Sequence, residues 1–165
     1  MRAPSSRQLW TWLALAAAVV ALTSVALTVW FALHPCHLCI VQRTVFFLLA
    51  PLAALAAWRP AARGAAGLSA RLFLALAAFG GGVAVYQSWL QWQPLADAAC
   101  VAGPLGPLER LVEWLGARWP SFFLATGFCA DKQLTILGFS LANWAGALFA
   151  ALLALGFWAW RRSRV

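Results

Sequence analysis

Four stretches of this sequence run for about the thickness of a lipid bilayer with almost no charge, and nothing else in it constrains the fold so strongly. Leu9–Phe31, Leu72–Leu90 and Ala142–Trp160 contain no charged residue, and Ile40–Trp58 contains a single one, Arg43. A membrane-spanning helix needs about 20 mostly apolar residues, so four spans are expected. A chain of 165 residues that is 64% hydrophobic and 10% charged has too little interior to hide its apolar side chains from water. The excess must face lipid. The expected fold class is an all-α membrane protein, a four-transmembrane-helix bundle making one domain over residues 1–165. The first apolar run exceeds the usual signal-peptide core of about 7–15 residues. No small-x-small site with a polar exit follows it, so it reads as a retained span.

Tryptophan and arginine placement supports these boundaries and orients them. Of eleven tryptophans, nine (Trp10, Trp12, Trp30, Trp58, Trp89, Trp92, Trp144, Trp158 and Trp160) fall at or beside a span end, where indole prefers the headgroup level. The N-terminal tail (Arg2, Arg7), the second connection (Arg59, Arg63, Arg71) and the C-terminal tail (Arg161, Arg162, Arg164) share one side and carry eight of the twelve basic residues without an acid. The other side holds Arg43, Arg110, Arg118 and Lys132 with all four acids, Asp97, Glu109, Glu113 and Asp131. The positive-inside rule then places both termini in the cytoplasm and turns the loops His34–Cys39 and Gln91–Leu141 outward. A net charge of +8 would suggest nucleic acid in a soluble protein. Here the arginines bracket apolar runs and form no basic stripe, so they read as topology determinants and no nucleic-acid partner is expected.

The long outer loop carries its own helical signal. Pro107 suits a first helical position, and Leu108, Leu111, Val112, Leu115 and Trp119 follow at i, i+3, i+4, i+7 and i+11 before Pro120 stops the run. Glu109, Arg110 and Glu113 fall on the other side. The pattern predicts a short amphipathic interfacial helix on the membrane surface, or equally one packed on the outer ends of the bundle.

All four cysteines lie in the outward loops: Cys36 and Cys39 in the short one, Cys100 and Cys129 in the long one. Free cysteine is usually a small buried hydrophobe and would scatter into the spans. Two per loop in an oxidising compartment point to disulfides. For the Cys36-x-x-Cys39 pair, haem attachment is excluded because Ile40 stands where a histidine is needed. Zinc fits poorly, because His34, Cys36, His37 and Cys39 crowd the donors too tightly. A purely structural bridge over two intervening residues stabilises little by loop closure. A structural bridge stays possible, and redox activity is the better reading. Pro35 disfavours helix before it, so the second span should open near Cys36–Cys39, where unpaired helix-start amides favour a thiolate. Arg43 shares a helix face with both cysteines. Many such arginines only snorkel to the interface. This one is the only charge within any span, which makes it a functional candidate. A thiolate beside an arginine at the membrane boundary calls for an electron acceptor that lives in lipid, and a quinone fits.

The segment Pro35-Cys36-His37-Leu38-Cys39-Ile40-Val41-Gln42-Arg43 resembles the P-C-x-L-C-x-x-[QE]-R signature of the disulfide bond formation protein B (DsbB) family. Thr126-Gly127-Phe128-Cys129-Ala130-Asp131-Lys132-Gln133 is similar to that family's G-x-C-A-[DE]-[RK]-Q segment. The span count and the two cysteines per outer loop agree, so the resemblance covers nearly the whole chain. It implies a multi-pass protein of the bacterial inner membrane in which Cys36, Cys39, Cys100 and Cys129 are catalytic and Arg43 binds the cofactor, ubiquinone or menaquinone. Cys100 would form the mixed disulfide with a periplasmic thioredoxin-fold oxidase (DsbA-like), with Cys129 as its partner. Electrons would pass to Cys36/Cys39 through a transient Cys36–Cys129 bridge and leave from Cys39 to the quinone. Some relatives carry a histidine near Gln87–Gln91, and this chain has none. Gln87 and Gln91 read as satisfied interfacial amides rather than quinone ligands, while His34 and His37 either tune Cys36 or sit in water. Two alternatives remain. One is a membrane scaffold with structural outer-loop disulfides. The other is a vitamin K epoxide reductase-like quinone reductase, although the motif of that group sits at a later helix.

Overall fold

The computed structural model describes residues 5–58, 65–93, 106–132 and 134–163, apart from the side chains of residues 65, 66 and 121. Four long helices carry the fold: α1 (Ser6–Trp30), α2 (His37–Trp58), α3 (Ala65–Leu90) and α6 (Leu141–Arg162). Each is long and apolar enough to cross a membrane. The protein is therefore a multi-pass membrane protein built as a four-helix bundle. Between α3 and α6 lie α4 (Pro107–Arg118), α5 (Pro120–Phe123) and a hairpin of β1 (Thr135–Ile136) and β2 (Phe139–Ser140).

The helices outrun the apolar windows because polar caps extend them. Ser5 accepts from the Gln8 amide while the Gln8 side chain accepts from the Ser5 amide, so α1 starts three residues before the uncharged run at Leu9. Ser140 caps α6 by accepting from the Asn143 amide. The hairpin that delivers Ser140 pairs Thr135 with Ser140 and Ile136 with Phe139. Leu137 and Gly138 at its tip both have positive φ, 54° and 81°, as a two-residue turn of this hand requires.

The bundle closes as a ring in which α1 packs on α2, α2 on α3, α3 on α6 and α6 on α1, and the α1–α6 seam is the sparsest of these. Lipid tails offer no hydrophobic drive for helices to associate, so close packing against small residues has to supply it. Away from the cysteines that packing is tight. Phe46 stacks on Phe149 at 4.1 Å between centroids, and Trp10 meets Phe73 edge-on at 5.3 Å. Gly80 lies under the Phe149 ring so closely that a Cβ there would come within 2.4 Å of it, and one at Gly156 would come within 2.8 Å of Phe73.

Two sequence expectations need adjusting. Trp12, Trp30, Trp58, Trp89 and Trp92 are exposed, as a headgroup-level belt requires, but Trp10 is 1% exposed and belongs to the core. Helix α4 has the apolar stripe read from its periodicity, and the stripe is shared between two surroundings. Val112 is buried in the bundle core and Gly116 against the backbone of Phe123 and Leu124, whereas Leu111, Trp114 and Trp119 are exposed.

Candidate active site

The α1–α2 connection turns through Ala32, at positive φ, and then runs through Pro35 into the start of α2. Cys36 sits at that start as a capping residue whose acceptor is sulfur. Its Sγ receives the Cys39 amide at 3.4 Å, and its carbonyl receives the Ile40 amide at 3.1 Å. The first helical turn brings Cys39 back over it, with the two sulfurs 3.0 Å apart as free thiols. Cys36 is 2% exposed.

The segment carrying Cys129 is held on this helix start by the backbone. The Pro35 carbonyl accepts from the Thr126 amide at 2.9 Å and from the Gly127 amide at 3.2 Å. Proline lacks an amide hydrogen but keeps its carbonyl, and that carbonyl docks one loop on the other. Cys129 thereby reaches hydrogen-bonding distance of Cys36, which has a sulfur neighbour on each side. Contact with Cys129 and then Cys39, reinforced by burial, pushes the Cys36 thiol up from its ordinary value. The same hydrogen bond with Cys36 holds the Cys129 thiol down, against the opposing effect of its burial. Cys36 keeps its proton and Cys129 is the readier thiolate.

Arg43, one helical turn further in, is 6% exposed and almost fully engaged. Its Nε donates to Ser24 Oγ at 3.1 Å, Nη2 donates to the Ser24 carbonyl at 3.2 Å and to Thr28 Oγ1, and Nη1 donates to the Phe122 carbonyl at 3.2 Å. The guanidinium thus ties α1, α2 and the segment after α4 together. No hydrogen bond joins Arg43 to Cys39 among the described residues, but both line one cavity of about 340 Å³. Its other walls are apolar faces of α1 (Val20, Leu27) and α6 (Ala145, Leu148), so it lies along the sparse α1–α6 seam. Gln42 and Gln87, 5% and 3% exposed, stand with Cys39 and Arg43 in its polar lining, which also takes in Ser24, Thr28 and Asp131.

A CxxC opening a membrane-level helix, a second-loop cysteine docked on it and an arginine in the same cavity form a combination that can be compared with known proteins. The family described as disulfide bond formation protein DsbB matches residues 6–159. The chain belongs to the DsbB family. Disulfide bond formation protein B of Dechloromonas aromatica (strain RCB) is 42% identical over 122 residues, covering 74% of this chain and 72% of that protein. The protein of the same name from Albidiferax ferrireducens (strain ATCC BAA-621 / DSM 15236 / T118) is 37% identical over 134 residues, covering 79% and 74%. A third, from Azoarcus sp. (strain BH72), is 34% identical over 128 residues. Membership gives a membrane protein of disulfide bond formation with an oxidoreductase role.

Of the residues singled out in the sequence, the structure brings Cys36, Cys39, Cys129 and Arg43 to one end of this DsbB-family bundle. Cys100 lies outside the described residues, as do Arg2, Arg59, Arg63, Asp97, Gln133 and Arg164. His37 lies 3.9 Å from Glu113 of α4, so it has a neighbour on that helix and not water alone. Gln91 donates to the Asp131 carbonyl at 3.5 Å. Gln87 is a satisfied amide, as its sequence context suggests, but its side-chain partners are Gln42 and the two sulfurs and not the interface. Ser24 and Thr28 escaped the sequence reading, and Gln42 entered it only as a position of the family signature, with no role assigned. A signal was present for the first two: they are hydroxyl residues four apart in an otherwise apolar helix, and hence on one face.

Proposed function

We propose that this DsbB-family protein is a quinone-dependent thiol oxidase of the bacterial inner membrane that reoxidises a periplasmic thioredoxin-fold oxidase (DsbA-like). The observation that carries the reading is the cavity, in which Cys39 and Arg43 stand together with apolar side chains of α1 (Val20, Leu27) and α6 (Ala145, Leu148) at the loosest seam. Its donor set fits a ubiquinone or menaquinone headgroup. Arg43 keeps one Nη1 hydrogen beyond its four bonds for a carbonyl oxygen, and the α1 and α6 faces suit a ring and an isoprenoid tail. When bound, a quinone supplies an acceptor for two electrons and two protons.

The residues of the chain then have distinct tasks. Cys100 takes the attack of the partner's dithiol and releases Cys129 as thiolate, and the partner leaves as a disulfide. Cys129, docked by the Pro35 carbonyl, attacks Cys36 Sγ in the Cys36–Cys39 disulfide. Cys39 leaves as thiolate into the cavity, near the guanidinium. Return of Cys100 to Cys129 frees Cys36 and restores the outer pair. Arg43 orients the acceptor and balances the charge on Cys39, while the apolar walls exclude water.

This reading places both termini in the cytoplasm and the cysteine end in the periplasm, as the arginine distribution requires. A photoreactive ubiquinone in nanodiscs tests the cavity. Labelling is expected on α1 and α6 residues such as Leu27 and Leu148, competed by unmodified quinone. Labelling confined to other surfaces would contradict it.

A further inference from the structure

Two glutamines buried at membrane depth are unexplained by the thiol relay, and their hydrogen bonds form a chain that ends on the reacting sulfurs. Gln42 of α2 donates its Nε2 to Gln87 Oε1 of α3 at 2.7 Å. Gln87 Nε2 in turn lies 3.1 Å from Cys39 Sγ and 3.4 Å from Cys36 Sγ. Both amides are all but sealed from solvent, at 5% and 3% exposure. With its carbonyl held by Gln42, the Gln87 amide can turn only its two N–H groups toward the sulfurs. A carboxamide has two such hydrogens, and the CxxC has two sulfurs.

We propose that Gln87 is a further residue of the redox site, oriented by Gln42, whose N–H groups stabilise the reduced Cys36–Cys39 pair and place its negative charge on Cys39. The inference rests on the reading of Cys36–Cys39 as an exchange pair. A hydrogen bond to a charged acceptor is roughly twice as strong as one between neutral groups. Disulfide sulfur is a weak acceptor and thiolate sulfur a strong one, so the same donor favours the reduced form over the oxidised one. The pair becomes a stronger oxidant of the loop cysteines. The two sulfurs share the donor unequally. Cys36 already receives the Cys39 amide and touches Cys129, whereas Cys39 makes the shorter contact with Gln87. A neutral donor does this without adding a second charge beside Arg43.

The test is a redox titration of the full-length protein in quinone-free nanodiscs against glutathione. Two glutathione thiols reduce the Cys36–Cys39 disulfide to two thiols and leave as glutathione disulfide. Peptide mass spectrometry after thiol trapping reads the oxidised fraction. Gln87→Met, close in volume and without a donor, is expected to lower the equilibrium constant for reduction about tenfold, which is about 30 mV. It should also slow alkylation of Cys39 at pH 7 by a similar factor. Gln42→Met keeps the donor but frees its orientation, and is expected to shift the equilibrium about threefold in the same direction. A Gln87→Met equilibrium within twofold of wild type, with an unchanged melting temperature, would overturn the proposal. Where Gln87→Met does not fold, Gln42→Met decides, and no shift there overturns it equally. Neither quinone nor partner oxidase is present. A failure here therefore leaves the quinone reading standing, and a shifted potential in a protein unable to reduce quinone would sink that reading alone.

Discussion

The two ends of the bundle solve opposite problems. At Trp10, Phe73 and Gly156 the helices meet through rings and a missing side chain, so closely that a Cβ at Gly156 would come within 2.8 Å of Phe73. At Cys36, Cys39, Gln42, Arg43 and Gln87 the same helices bury polar groups beside a cavity. Polar burial in lipid costs free energy unless the donors are met, and here most are met, by Ser24 and Thr28 of α1, by the Phe122 carbonyl and by one another. Packing alone would not select such an arrangement. The contrast teaches that the tight end holds the bundle so that the polar end can remain partly open.

The comparison breaks most completely at Cys39. Cys39→Ala is expected to abolish quinol formation while Cys100 and Cys129 still exchange with the partner, which kinetic trapping of the mixed disulfide measures. Arg43→Ala comes next, with quinone reduction falling about 100-fold, a loss of roughly 2.7 kcal/mol in transition-state stabilisation. Because Arg43 also holds the Phe122 carbonyl, the variant should unfold more easily, by on the order of 3 kcal/mol in denaturant. At the tight end, Gly156→Leu drives a side chain into the Phe73 ring and should cost about 1–3 kcal/mol of stability. Turnover per folded molecule should stay unchanged, and a selective loss of turnover would blur the division between the ends. Ser24→Ala removes one acceptor of the guanidinium, for about 1 kcal/mol and a several-fold rise in the quinone KM.

The smallest effect is a shift in pH dependence. Cys36 holds the Cys129 thiol down, so the Cys129 thiolate persists to lower pH than an ordinary thiol would allow. Cys36→Ala should move its alkylation profile upward and slow labelling at pH 7 by about threefold. An unmoved profile would mean that the helix-start backbone, and not Cys36, sets Cys129.

Much of this was legible along the chain, and what was hidden lies across it. Charge-free runs mark the spans, the 3.6-residue period marks α4, and spacing puts Cys36, Cys39 and Arg43 on one face, because each is a local property of one helix. The partners of those residues come from other helices: Ser24 and Thr28 on α1 and Gln87 on α3. Hydropathy fixes where a helix ends and not how it is rotated against its neighbours. Trp10 shows the same limit, since a position near a span end is compatible with lipid headgroups or with the core. The docking of Cys129 was hidden for another reason, because it depends on a main-chain acceptor at Pro35 that side-chain patterns do not report.

On the proposed function, electrons enter at the loop cysteines and leave beside Arg43 to a quinone. Anaerobic mixing of the purified protein with a reduced thioredoxin-fold oxidase and ubiquinone tests it directly through quinol absorbance. One quinol per partner disulfide formed, with the yield lost in both Cys39→Ala and Cys100→Ala, is the predicted result. Partner oxidation without quinol, or quinol formation indifferent to either cysteine, would contradict it.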